Sequence, residues 1–174
     1  MSLDPNTIRC ETFLGHDRPE LLTLIEALRL KEWDHVVGPE HSAQRFGLDR
    51  FDGQAWHIVH LSNHAAIASG RLYCCDARAD VPDRQSFGPY LDRMGFPAGF
   101  LNRLVVDEQY RNRGFATHID AARIQLARQR SQKALWVEAE QWRVPHLQRL
   151  GFTVIGPSMD TSIAGDWHIL IKEL

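Results

Sequence analysis

The sequence is poor in cysteine, has no long apolar run and carries no excess of either charge. Its three cysteines are Cys10, Cys74 and Cys75. An odd count with an adjacent pair is a poor disulfide framework, so a reducing, cytoplasmic setting is expected. No stretch is long and apolar enough to cross a membrane, and none reads as a secretory leader. The formal net charge is −2 over 174 residues, which gives no global reason to expect a nucleic-acid or membrane partner. The nine histidines show no His-x3-His spacing, and His57 and His60 have the wrong parity to share one strand face. They are read as scattered polar or core residues, and no metal is expected. Internal repeats and low-complexity tracts are missing as well.

What is present suits a single domain over residues 1–174 with a sizeable core: hydrophobic residues make up 44% and charged residues 24%. Thr7 to Leu14 reads as a strand. Asp17-Arg18-Pro19-Glu20 predicts a helix start with Asp17 as cap, and Leu21, Leu24, Ile25 and Leu28 supply its buried stripe. Ser42 to Leu48 predicts a second short helix capped by Ser42. Trp56–Leu61 and Ala66–Cys74 predict a hairpin turned at Ser62-Asn63-His64. Gly70, inside the second strand, suggests a bulge or a close backbone approach. Residues 76–99 are the least regular and are expected to shape a substrate pocket, with a helical turn at Tyr90 to Met94. Ala134 to Glu140 alternates as a strand, with Glu138 and Glu140 on one face. Val144 to Leu150 is a helix stopped by Gly151. Phe152–Ile155 and His168–Ile171 close the chain as strands around a loop holding Gly156-Pro157.

The most informative stretch is Phe100 to Arg130. Leu101-Asn102-Arg103-Leu104-Val105-Val106 predicts a buried strand, and Asp107-Glu108-Gln109 a solvated turn. A basic loop, Tyr110-Arg111-Asn112-Arg113-Gly114, then opens into a helix whose apolar stripe is Phe115, Ile119, Ala122 and Leu126. The first N–H groups of a helix lack intrahelical partners, and its dipole adds partial positive charge there. Gly114 lets backbone approach a ligand closely. The physical expectation is a pyrophosphate cradle.

Arg111-x-x-Gly114-x-Ala116 after Leu104-Val105-Val106 resembles the acyl-CoA loop of the GNAT superfamily of N-acyltransferases. Leu147-Gln148-Arg149-Leu150-Gly151-Phe152 is similar to that family's late helix-to-strand turn. The resemblance implies an α+β fold with a mixed central sheet of six to seven strands and about four helices. It further implies acyl transfer from acetyl-CoA or another acyl-CoA to a primary amine, by direct attack in a ternary complex. Arg111, Asn112, Arg113, Gly114, Phe115, Ala116 and Thr117 would hold the cofactor's pyrophosphate, and Leu104, Val105 and Val106 its pantetheine arm. The acceptor would be a small-molecule or peptide amine; a homodimer, the state of many relatives, is a candidate assembly, and the oligomeric state stays open. Glu138 and Glu140 are the candidate bases. The tyrosine that many relatives place on the late helix is Leu147 here, and His146 beside it is the substitute acid. A neighbouring position on a helix points about 100° away, so that replacement is not automatic.

A narrower pattern, Asp49-x-Phe51-Asp52, Gly70-Arg71-Leu72 and Asn102-Arg103-Leu104, is similar to the autoinducer and N-acyl amino acid synthases. Asp52 and Arg103 are accordingly candidate substrate contacts, as is Tyr90 in the segment expected to shape the pocket; for Arg103 an ion pair with Asp52 or Glu138 is the favoured alternative. Two alternatives therefore stand beside the acyl-CoA reading: a carrier-protein-dependent N-acyl homoserine lactone or amino acid synthase, and a non-catalytic acyl-CoA sensor. Cys74 and Cys75 have no evident base, so no covalent nucleophile is expected.

Overall fold

The structure, a computed structural model, describes residues 8–162 and 164–174. Strands are β1 (Arg9–Leu14), β2 (Trp56–Ser62), β3 (Ala65–Cys75), β4 (Ala98–Val106), β5 (Ala134–Glu140), β6 (Thr153–Pro157) and β7 (Trp167–Glu173). Helices are α1 (Pro19–Val37), α2 (Pro39–Phe46), the single-turn α3 (Arg84–Phe87), α4 (Phe115–Gln129) and α5 (Val144–Arg149). The seven strands form one mixed sheet in the order β1-β2-β3-β4-β5-β7-β6. The β4/β5 pair is parallel, while β1/β2, β5/β7 and β6/β7 are antiparallel. Among the described residues no helix is long and apolar enough to cross a membrane.

Two compact units share these elements. The first takes residues up to Arg71 together with Arg103–Arg123. Its core packs the predicted α1 stripe, Leu21, Ile25 and Leu28, against Phe13, Val59 and Val105. Each such burial contributes roughly 1.5–3 kcal/mol. Gly70 belongs here and behaves as its position suggests: a Cβ would lie 2.5 Å from Ile119 Cγ2 and 3.2 Å from Arg123 Cζ, so α4 requires bare backbone at that point. The second unit takes Leu72–Asn102 with Ile124–Leu174. Phe87 meets Phe100 and Trp136 edge-on, with ring centroids 5.4 and 6.4 Å away.

Several local expectations need correction. Asp17 does not cap α1. It lies in a 3-10 turn, Arg18 is the capping position, and Pro19 opens the helix. Helix α2 starts at Pro39, three residues before Ser42, which is buried inside it rather than capping it. Proline suits the first helical turn because its missing N–H would be unpaired there anyway. Gly156-Pro157 lies within β6 at a register shift, not in the following loop. Thr7, the expected first residue of β1, lies outside the described residues. The turn at Asn63-His64 is as expected, both residues taking left-handed backbone (φ 49° and 65°) as a two-residue hairpin needs. Gly151 also stops α5 as expected: the Phe152 N–H donates to Leu147 O at 3.0 Å and the Gly151 N–H to Gln148 O at 2.9 Å, a Schellman ending.

Candidate active site

Strand β4 is irregular where the site begins. Its ladder with β5 runs from Ala98↔Ala134 to Leu101↔Val137. Two residues further on, Arg103 takes φ 54°, a left-handed value uncommon outside glycine and able to break a pleat as a bulge does. The burial pattern changes there, from four buried residues to three half-buried ones at Asn102, Arg103 and Leu104, before Val105 is buried again. What holds the left-handed residue is its guanidinium. Arg103 Nη2 donates to Asp49 Oδ2 at 3.0 Å and the head lies 5.9 Å from the Phe46 ring centre.

Asp49 belongs to a buried charge cluster. Asp52, about 1% exposed, accepts both terminal nitrogens of Arg29 at 2.9 and 3.1 Å. Arg71 Nη1 lies 3.1 Å from Asp52 Oδ1 and donates to Asp49 Oδ1 at 2.7 Å. The Asp49 N–H closes the corner on Asp52 Oδ2 at 2.8 Å. Burial alone would raise the Asp52 pKa, but Arg29 and Arg71 outweigh it and hold the carboxyl well below the usual carboxylate range. Two of the candidate substrate contacts, Asp52 and Arg103, thus lie in one ionic network, and the partner seen for Arg103 is Asp49. Arg29 went unpredicted. Its only signal is its phase, four residues after Ile25 and inside the apolar stripe of α1.

His57 completes the cluster, its Nε2 donating to the Asp52 carbonyl at 2.9 Å. Burial is the main influence on its pKa; it is opposed by that hydrogen bond and reinforced by Arg29 and Arg71, and the imidazole is held down to about 4. In the unfolded chain it titrates near ~6.5. Unfolded molecules therefore take the proton first, so stability is full above that value and falls as pH drops toward 4. From pH 7 to pH 5 this group should cost about 2 kcal/mol. Urea denaturation at both pH values reads the effect: His57→Gln should lose about 2 kcal/mol less than wild type over the interval, and equal losses would refute the assignment.

The loop after β4 is tied down as well. Asp107 is not solvated, as expected from the sequence, but buried: it accepts Lys31 Nζ at 2.6 Å and the Gln109 N–H at 3.0 Å. Arg111 Nη2 meets Glu32 Oε2 at 2.5 Å, while Glu32 Oε1 accepts the Glu108 N–H at 3.2 Å. Arg113 lies over Tyr110, 5.2 Å from the ring centre. Asn112 (φ 62°) and Gly114 (φ 84°) both take left-handed backbone, the alternation that turns successive N–H groups to one side. The first α4 hydrogen bond is His118 N–H to Gly114 O at 3.0 Å, so the N–H groups of Phe115, Ala116 and Thr117 precede the helical ladder. Among the described residues, a Cβ on Gly114 would meet nothing within 4 Å. The result is an open concavity of backbone donors at a helix N-terminus, flanked by arginines, which suits a pyrophosphate.

The second unit holds the remaining candidates. Half-buried Glu138 is oriented by two hydroxyls, Ser86 Oγ donating to Oε2 at 3.0 Å and Ser158 Oγ to Oε1. Neither serine was predicted, and their sequence distance from Glu138 explains why. Glu140 Oε2 accepts the indole N–H of exposed Trp142 at 2.6 Å. Tyr90, in the expected helical turn, is buried with its hydroxyl donating to Pro157 O at 3.0 Å. Leu147 is fully buried and His146 half-buried on α5. Burial raises the Cys74 thiol to about 11, and Cys75 Sγ donates to Ala77 O at 2.9 Å, in keeping with neither being a nucleophile.

No protein-family model and no curated protein matches the chain. Solved structures do. An N-acetyltransferase from Lactobacillus plantarum aligns with TM-score 0.70 at 19% identity, over 97% of this chain and 99% of that one. The polyamine N-acetyltransferase of Drosophila melanogaster, which forms N-acetylagmatine, aligns with TM-score 0.64 at 15% identity, over 97% and 100%. FeeM, an N-acyl amino acid synthase from uncultured soil microbes, aligns with TM-score 0.65 at 10% identity, over 97% and 91%. The chain has the fold of the GNAT N-acyltransferases.

Proposed function

We propose that this GNAT-fold chain transfers an acyl group from acyl-CoA, acetyl-CoA first among the candidates, to a primary amine of a small molecule or peptide. The observation that carries the reading is the donor concavity from Asn112 to Thr117 at the start of α4. Its N–H groups would hold the pyrophosphate, and Leu104, Val105 and Val106 would run beside the pantetheine arm. A β4 N–H near Val106 would stabilise the oxyanion formed when the amine adds to the thioester. Collapse of that adduct breaks the C–S bond and expels the CoA thiolate. Glu138, held by two serine hydroxyls, is the proposed proton acceptor from the attacking amine. With Leu147 where a tyrosine would stand, the thiolate leaves without that acid; His146 and Glu140 are secondary candidates for proton transfer.

Calorimetric titration with acetyl-CoA and CoA, followed by thiol-release assays on a panel of amines, tests the reading. Saturable binding with turnover on at least one amine is expected. Glu138→Gln should leave CoA affinity unchanged and lower kcat on the order of 100-fold; an unchanged kcat would remove Glu138 from the mechanism. Binding without turnover over the whole panel would instead favour a sensor. A second reading draws on the charge cluster, because Asp49, Asp52, Arg71 and Arg103 are the residues that resemble the autoinducer and N-acyl amino acid synthases. It takes the donor to be an acyl carrier protein. Activity with acyl carrier protein and none with CoA thioesters would select it.

A further inference from the structure

The first unit also brings together three side chains that the proposed acyl transfer does not use. Cys10 on β1 and His60 on β2 face each other directly across the antiparallel ladder. Opposed residues of a ladder project from the same sheet face. His118, one turn into α4, meets them there, its ring centroid 4.9 Å from that of His60 with the planes at 72°. One donor atom from each of Cys10, His60 and His118 lies within 4.8 Å of the other two.

His60 supplies a second, independent observation. The residue is about 94% buried, being 6% exposed, and among the described residues its Nδ1 has no hydrogen-bond partner. A buried polar atom without a partner carries a desolvation cost that an apolar residue would avoid. Phe115 packs edge-on against the same ring, centroids 4.9 Å apart, which fixes the imidazole without satisfying its nitrogen.

We propose that Cys10, His60 and His118 bind a borderline-soft divalent transition-metal ion, Zn2+ being the type, and so fasten the first turns of α4 to the β1/β2 edge. The donor set argues for the metal. One thiolate and two imidazoles suit Zn2+, whereas hard cations prefer oxygen. Metal–ligand bonds of about 2.0 Å to nitrogen and 2.3 Å to sulfur place tetrahedral ligands roughly 3.3–3.7 Å apart. The observed spread, within 4.8 Å, therefore has to tighten by about 1.5 Å at most, within the reach of rotamer changes at exposed Cys10 and His118. Cys10 would bind as the thiolate. Coordination would release its proton to solvent as the metal–sulfur bond forms. The fourth position would be left to water. No local spacing announces the site, because positions 10, 60 and 118 meet only through strand register and helix packing.

Cobalt reports thiolate ligation directly, so the experiment titrates chelator-treated full-length protein with Co2+ and then displaces it with Zn2+. We expect one equivalent of Co2+ to bind with a thiolate-to-metal charge-transfer band. The band should vanish in Cys10→Ser. The affinity should fall at least about tenfold in His118→Gln, and His64→Gln, an exposed hairpin histidine, should behave as wild type. Zn2+ should raise Tm in wild type and leave the Tm of Cys10→Ser unchanged. Both Cys10 and His118 are exposed, so these variants are expected to fold. A wild type that binds Co2+ without the charge-transfer band, or not at all, would overturn the site, as would an unaltered band in Cys10→Ser. Each readout is independent of catalysis, so the outcome does not depend on whether an acyl acceptor is found.

Discussion

Asp52→Asn should destabilise the protein by about 3–5 kcal/mol, the range for removing one partner of a buried ion pair. The substitution hardly changes volume, so the loss isolates charge. It leaves the guanidinium heads of Arg29 and Arg71, both about 1% exposed or less, with Asp49 as the remaining nearby anion of the corner. Asp49 is already shared between Arg71 and Arg103. Against a typical stability of about 5–15 kcal/mol the change is large. Denaturant unfolding of wild type and variant measures it, and a loss below about 1 kcal/mol would refute the argument. A companion variant separates uncompensated charge from lost contacts. Asp52→Asn combined with Arg29→Met removes one stranded cation, and should recover part of the stability that the single change loses. The consequence reaches the proposed cofactor loop as well. Asp49 accepts Arg71 and Arg103 together, and Arg103 is the left-handed residue of β4. A relaxed Asp49 corner would loosen the irregular segment that leads into the cradle.

This network also marks the limit of what the sequence discloses. Helix α4 was legible because Ile119 and Leu126 follow a single period and both are buried. The hairpin turn and the stop at Gly151 were legible because each requires a particular local backbone. Strand β5 was legible in extent, although Trp136, assigned to the face opposite Leu135 and Val137, is also buried, since both faces of that central strand are covered. The helix starts were misjudged where a capping residue competed with a proline: Pro19 and Pro39 set the first turns, and Asp17 and Ser42 were left without capping roles. The ionic partners were beyond local reasoning. Arg29 and Asp52 are 23 positions apart, and Asp49 and Arg103 are 54. No period connects them, because sheet order and helix packing decide who meets whom. The left-handed Arg103 is likewise invisible locally, since arginine has no preference for that backbone and adopts it here under the hold of Asp49.

Gly114→Glu should weaken acetyl-CoA binding on the order of 1000-fold, which is about 4 kcal/mol. Three effects act in the same direction. Gly114 has φ 84°, a conformation that other L-residues seldom adopt, so the substitution bends the cradle away from its shape. The space over the residue is open, with nothing among the described residues within 4 Å of a Cβ, so the new side chain would project into the volume proposed for the pyrophosphate rather than into the fold. Its carboxylate would also repel that dianion at the end of a helix whose N–H groups otherwise attract it. Because the position is exposed, the variant should unfold close to wild type, apart from about 1 kcal/mol of backbone strain. Gly114→Ala calibrates that strain: it shares the φ constraint but adds neither bulk nor charge, and should lose far less affinity than the glutamate. Calorimetry on the three proteins, with unfolding curves as a check on integrity, resolves these contributions. Equal affinity in wild type and a folded Gly114→Glu would place the cofactor elsewhere and remove the main support for the acyl-CoA reading. Loss in both variants to the same degree would assign the effect to backbone shape rather than to anion recognition.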